Sequence, residues 1–208
     1  MIEQRLPGLP VPRMHSHSAS GSRITIKMDF VEGQTLAEVW PDMSPDQKSD
    51  IARQLRAIIT TMRSLEPDSP GIHTCGGGAV TELRVYHDYE GGPFPDEAAF
   101  NDWLVDGLFK PTPVALREEF RKRLRSNHRI TFTHGDLAPH NIIVKDSKIV
   151  GLIDWEYGGW YPEYWEFVKF YIRHADSRDW YDYAKEIFAQ TYFDELFLYQ
   201  FLARYRSP

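Results

Sequence analysis

His134-Gly135-Asp136-Leu137-Ala138-Pro139-His140-Asn141, followed by Ile153-Asp154-Trp155-Glu156, is the stretch whose reading decides the fold. Between the two motifs run Asn141-Ile142-Ile143-Val144 and Ile149-Val150-Gly151-Leu152-Ile153, joined by the polar Lys145–Lys148 turn. Short β-branched runs around a polar turn predict a hairpin, and Ile130-Thr131-Phe132-Thr133 predicts a strand leading into the first motif. A turn after that strand can present the Asp136 carboxylate to a hydroxyl that must give up its proton. Asn141 offers a neutral oxygen where the next strand begins. Asp154 offers a charged one where the hairpin ends, and oxygen donors are what a hard cation such as Mg²⁺ prefers. A proton acceptor with two oxygen ligands is the set that phosphoryl transfer uses, because that chemistry is almost entirely positioning and charge stabilisation.

Other residues around the motif have plainer readings. His134 reads as structural, its imidazole bonded to nearby backbone, and His140 as a histidine of the surface or site rim, since it has no partner at metal-ligand spacing. Glu156 follows Asp154 by two positions and points to the same side if the chain stays extended; it either helps to organise a cation or bonds the loop. The aromatic run Trp155 to Tyr161, with Tyr164, Trp165, Tyr171, Trp180, Tyr181 and Tyr183, reads mainly as core, with some rings left to line an apolar acceptor pocket.

Outward from the motif, Ile24, Ile26 and Met28 alternate with Thr25, Lys27 and Asp29, the period of a half-buried strand. Residues 1–22 are rich in Pro, Ser, His and Gly, and within them Leu9-Pro10-Val11-Pro12 reads as an extended lead-in, with the strand signal only after it. Ser44-Pro45-Asp46-Gln47 combines an N-cap, a proline at the first helical position and a capping-box Gln, so a helix starts there. Ile51, Leu55, Ile58, Ile59 and Met62 give it one apolar face. The glycine-rich stretch 66–95 reads as loop with little regular structure. Helices are expected over 96–108, 113–126, 164–173, 180–190 and 194–204.

The two motifs, with Gly158 and Pro162 after them, resemble those of the aminoglycoside phosphotransferase and choline kinase family, small-molecule kinases related in fold to protein kinases. The resemblance implies an α+β fold: a mainly helical, kinase-like C-terminal lobe with a catalytic β-hairpin and a remnant hinge strand. It implies Asp136 as catalytic base and Asn141 and Asp154 as Mg²⁺ ligands. Val11-Pro12-Arg13-Met14 looks like the approach to the family's hinge and Ile26 to Leu36 like the hinge strand and linker, so backbone groups of Asp29, Phe30 and Val31 would face the adenine of ATP. The family's Gly-rich loop, strand lysine and helix glutamate should precede the hinge. The stretch before Met28 is too short for them, and Gly76-Gly77-Gly78, following a long helix and with no strand on either side, reads as a flexible loop. The expectation is therefore a remnant N-lobe segment and hinge over 1–33 and a phosphotransferase-like lobe over 34–208. The implied protein is an O-phosphotransferase acting on a small, secondary-metabolite-type alcohol, or a truncated relative of one; the aromatic content suits a hydrophobic acceptor. Two other readings stay open: a repurposed lobe doing nucleotide-independent acid–base or cyclisation chemistry, and a non-catalytic pseudokinase module.

Bulk properties narrow the classes. With 208 residues, 42% of them hydrophobic and 14% aromatic, the chain has material for a core. Its net charge of −6 argues against the basic face that nucleic-acid binding needs. No 18-residue apolar run and no secretory start at Met1 to Pro7 occur, and the one cysteine, Cys75, excludes an internal disulfide; a cytoplasmic protein with an inert thiol is expected.

Overall fold

The structure is a computed structural model that describes residues 5, 7–21, 23–83 and 88–206. The opening Met1 to Gln4, part of the stretch read above as lacking a secretory start, lies outside the described residues. The described strands are β1 (Met14–Ser20), β2 (Arg23–Met28), β3 (Gln34–Thr35), β4 (His73–Thr74), β5 (Val80–Leu83), β6 (Asp88–Gly91), β7 (Ile130–Thr133), β8 (Ile142–Lys145), β9 (Lys148–Leu152) and β10 (Gly159–Pro162). The chain divides into two compact units, each assembled from separate segments: residues 1–62, 137–154 and 174–189 in the first, and 63–136, 155–173 and 190–208 in the second.

In the first unit, helix Pro45–Met62 begins as its sequence dictates. The Ser44 amide donates to Gln47 Oε1 at 2.8 Å and the Gln47 amide to Ser44 Oγ at 3.3 Å, closing the expected capping box. Ile51, Ala52, Leu55, Ile59 and Met62 are buried along one face. The segment 174–189 packs here: Arg56 donates to the carbonyl of Phe188 at 3.2 Å, and Trp40, fully buried, meets Trp180 and Tyr183 edge-on at 4.9 and 5.2 Å. The helix expected over 180–190 is instead a 3₁₀ stretch, Arg178–Tyr183, followed by one α-turn, Ala184–Ile187. Asp179 explains the irregular start, since it accepts from Trp40 Nε1 at 3.1 Å and pairs with Lys48 at 2.7 Å.

Antiparallel β3, β8 and β9 form the unit's central sheet, with Ile142 opposite Leu152 and Ile143 opposite Gly151. Asp146 and Ser147, at φ 49° and 60°, turn the hairpin with both central residues left-handed, the turn whose twist matches that of the flanking strands. The strand region begins earlier than the expected start near Ile24: β1 pairs antiparallel with β2, Met14 opposite Met28 and Ala19 opposite Ile24. The expected half-burial of β2 fails as well. Ile24, Ile26 and Met28 are 70%, 54% and 49% exposed, because among the described residues of its unit no layer packs on the ribbon's apolar face.

The second unit holds antiparallel sheet β4-β10-β7, the hairpin β5–β6, and helices Glu97–Asp106, Val114–Arg123, Trp165–Ile172 and Phe193–Ala203. Stretch 66–95 is still mostly loop among its described residues, but it holds more regular structure than its glycines suggest. It contributes three strands, and Gly76-Gly77-Gly78 does have strands on both sides, but β4 and β5 belong to different sheets and the glycines turn tightly, the Gly77 amide donating to Thr74 O at 2.9 Å. Phe100, Tyr161, Trp165 and Tyr199 form an aromatic core, with Trp165 5.0 Å from Phe100, 5.7 Å from Tyr161 and 5.3 Å from Tyr199. Buried charge borders it: Glu82 pairs with Arg206 and lies 3.6 Å from Lys169, whose ammonium sits 4.6 Å from the Trp165 ring. Burial pushes the Lys169 ammonium down to about 8, opposed by the attraction of Glu82. Among the described residues no helix is long and apolar enough to cross a membrane.

Candidate active site

In the second unit, buried β7 delivers the chain to His134 and Gly135. Gly135 sits at φ 81°, and a Cβ there would meet the Cβ and carbonyl oxygen of Tyr157 at 2.9 Å each, so only glycine fits. The tight turn leaves two amides inside the protein. Glu166, on helix Trp165–Ile172, accepts both: His134 N–H at 2.6 Å and Gly135 N–H at 3.0 Å. Burial pushes the Glu166 carboxyl up to about 7; the two amides oppose that shift and the nearby Asp136 charge adds to it.

Asp136 is 7% exposed. Its amide donates to Nδ1 of His134 at 3.2 Å, which places the proton of a neutral His134 ring on Nε2. The ring is fully buried, 4.3 Å from that of Trp155, in the structural role its position suggested. Arg173, just past the helix, sends Nε to 3.2 Å from Asp136 Oδ1, while the Nε–H donates to the Gly135 carbonyl at 3.2 Å. Its guanidinium carbon lies 4.1 Å from the centre of the Tyr157 ring.

Asn141 and Asp154 belong to the first unit and are brought together by the hairpin. Asn141, 3% exposed, ends the 3₁₀ turn Pro139–Asn141; its amide donates to Ala138 O at 2.9 Å and its carbonyl accepts from Ile153 N–H at 3.0 Å. Asp154, next along from Ile153, is exposed and stands at φ 63°. Left-handed backbone is uncommon for a residue with a side chain, and such conformations gather at functional sites. His140 and Glu156 are exposed. In the segment expected from sequence to form a hinge, also in the first unit, the Asp29 amide donates to Arg13 O at 2.9 Å and its carboxylate meets His15 Nε2 at 2.6 Å, so that amide is already committed; Phe30 is 90% exposed.

Glu166 and Arg173 were not singled out from sequence. The signal was there for Glu166: Trp165-Glu166-Phe167-Val168-Lys169-Phe170 is an otherwise apolar helix, and a helix buried all round keeps a charge only where that charge has a partner.

The model of the phosphotransferase enzyme family matches residues 2–205. The chain belongs to that family. A curated relative, an aminoglycoside 3'-phosphotransferase of Enterococcus faecalis, is 32% identical over 189 residues, 90% of this chain and 66% of its own length, so this phosphotransferase-family chain spans just under two thirds of that relative. Among solved structures, aminoglycoside-3'-phosphotransferase of type VIII superposes with a TM-score of 0.60 at 16% identity, covering 97% of this chain and 78% of that one. A thermostable mutant of aminoglycoside phosphotransferase APH(4)-Ia, in ternary complex with ADP and hygromycin B, gives 0.63 at 12% identity over 97% and 70%. The mixed α and β kinase-like fold expected from the motifs is therefore the fold of this family member.

Proposed function

We propose that this phosphotransferase-family chain transfers the γ-phosphoryl group of ATP to a hydroxyl of a small molecule. The observation that carries the reading is the Asp136 loop: a buried carboxylate after a glycine turn whose two amides are clamped by Glu166 and whose carbonyl and carboxylate are both met by Arg173. So much fixed geometry around one carboxylate serves a reacting group better than a surface turn. Asp136 takes the proton of the attacking hydroxyl as its oxygen bonds to phosphorus and the bond to ADP breaks.

The donor chemistry of Asn141 and Asp154, an amide and a carboxylate oxygen, suits Mg²⁺, which is commonly held by one or two protein oxygens with water and substrate phosphates completing its shell. When bound it would neutralise charge developing on the transferred phosphoryl group. Backbone around Asp29 to Val31 is assigned to adenine; the ADP in the APH(4)-Ia complex supports an adenine nucleotide. The aminoglycoside ligands of the relatives support a polyhydroxylated acceptor. The half-buried Cys75, its thiol pushed up by desolvation, suits a protein of the reducing cytoplasm.

Phosphate transfer from labelled Mg²⁺–ATP to a panel of aminoglycosides and other small alcohols tests the reading. Transfer is expected, falling about 10²–10⁴-fold in Asp136→Asn, the range for loss of a general base. No transfer, together with no thermal shift of the chain by millimolar Mg²⁺–ATP, would sink it.

A further inference from the structure

We infer that Arg173 is the positioning residue for the catalytic carboxylate, and that it does this work through charge as well as through shape. The inference rests on the phosphotransferase reading for its kinetic consequence only.

Arg173 lies immediately after helix Trp165–Ile172, and its amide still donates to Lys169 O at 2.9 Å, so its backbone is tied to the end of a buried helix. From there the side chain makes three contacts with one small region. Nε donates to Gly135 O, the same atom stands 3.2 Å from Asp136 Oδ1, and the guanidinium covers the Tyr157 ring. Tyr157 in turn is what excludes a side chain at Gly135. Loop, carboxylate and aromatic wall therefore share one cation. The side chains of Arg173 and Asp136 are 9% and 10% exposed, so little solvent screens the pair.

The electrostatics need that cation. Asp136 and Glu166 are two buried carboxyls close enough for the Asp136 charge to raise the Glu166 pKa. Two carboxyls so placed do not both ionise easily, and the proton goes to the one with less support. Arg173 touches Asp136 directly, whereas Glu166 has two neutral amides and, through space, the attraction of Arg63. The cation thus selects which of the two carries the negative charge. A carboxylate that is to receive a proton must start without one, and its fixed orientation removes a rotamer search from the reaction. Other ionisable groups acting on this pair in its unit are His134, from the loop itself, Tyr157, Tyr161 and Arg63, with Lys169 acting on Arg173.

The test has two arms. In chain labelled with ¹³C at aspartate carboxyls, the Asp136 resonance, identified by its loss in Asp136→Asn, is titrated without metal or nucleotide. Arg173→Gln is expected to raise its midpoint by about one pH unit or more, the size of effect an adjacent arginine has on an aspartate. Arg173→Lys, which keeps the charge, restores most of the difference. In the kinetic arm, Arg173→Gln lowers kcat about 10²-fold with the KM for ATP within about 2-fold, and the acid limb of the kcat profile moves to higher pH. A purely structural role would lower the melting temperature and scale activity at all pH values alike. An Asp136 midpoint unchanged in Arg173→Gln overturns the inference; if that variant does not fold, the same measurement on Arg173→Lys decides, since a midpoint far above that of the parent chain would show that the charge alone does not hold Asp136. A shifted midpoint in a chain that transfers no phosphate to any acceptor would leave this inference standing and remove the proposed function instead.

Discussion

Two motif segments adjacent in sequence are held by different physics. The Asp136 loop of the second unit is held by buried charge: Glu166 on two amides and Arg173 on a carbonyl and a carboxylate. The Asn141–Asp154 hairpin of the first unit is held by backbone pairing, a left-handed two-residue turn and apolar burial of Ile142, Val144 and Leu152. Charge in a low-dielectric setting gives strong, direction-specific restraint but depends on protonation. Backbone geometry and packing are indifferent to pH and sensitive to volume and φ. The loop is therefore where pH and charge mutations act, and the hairpin is where methyl groups and glycines act.

The largest expected effect breaks the loop by shape alone. Gly135→Ala forces a Cβ onto Tyr157 at a φ that disfavours any side chain, and should cost about 3 kcal/mol or more in a urea melt, with activity lost. Next comes the charge. Glu166 has a folded pKa of about 7, above its ordinary 4.5, so the folded state binds the extra proton. Its contribution is present below the unfolded pKa and lost as pH rises through the folded one, so stability should fall between about pH 4.5 and 7, by roughly 1–3 kcal/mol from this group. Glu166→Gln should flatten that slope in urea melts at pH 5 and 7; an unchanged slope would assign it elsewhere. On the hairpin, Gly151→Ala places a methyl 2.8 Å from Val31 Cγ1 and should cost about 1 kcal/mol, equally at both pH values. The smallest effect is a gain: Ser147→Gly relieves a left-handed serine and should stabilise by about 0.5 kcal/mol, read as a higher melting temperature.

The sequence carried the hairpin well because β-branched runs, a polar turn and flanking motif residues all agree, and it carried helix Pro45–Met62 because cap, proline and apolar face coincide. It concealed β1, whose Met-His-Ser-His-Ser-Ala-Ser has no apolar alternation and becomes a strand only by pairing with β2. The β5–β6 hairpin was hidden among glycines that read as loop, and β10 within a run of aromatics. Alternation in β2 identified an apolar face, but a period of two says nothing about what covers that face. In the candidate site, Asp136, Asn141 and Asp154 were legible as motif residues. Glu166 and Arg173 were not, because their importance lies in which amides and which carboxylate they reach across the fold, a fact that spacing along the chain does not encode.

The segmented make-up of the two units has a consequence for synthesis. The apolar face of helix Pro45–Met62 packs in a unit whose last segment is 174–189, more than a hundred residues later in the chain. At ribosomal rates of roughly 5–20 residues per second, that helix waits on the order of ten seconds for its partners. During that interval Ile51, Leu55 and Ile59 lack their final cover in the nascent chain. The newborn protein should thus be a client for chaperones that hold amphipathic helices, and its yield in a cell should respond to translation speed between codons 63 and 174.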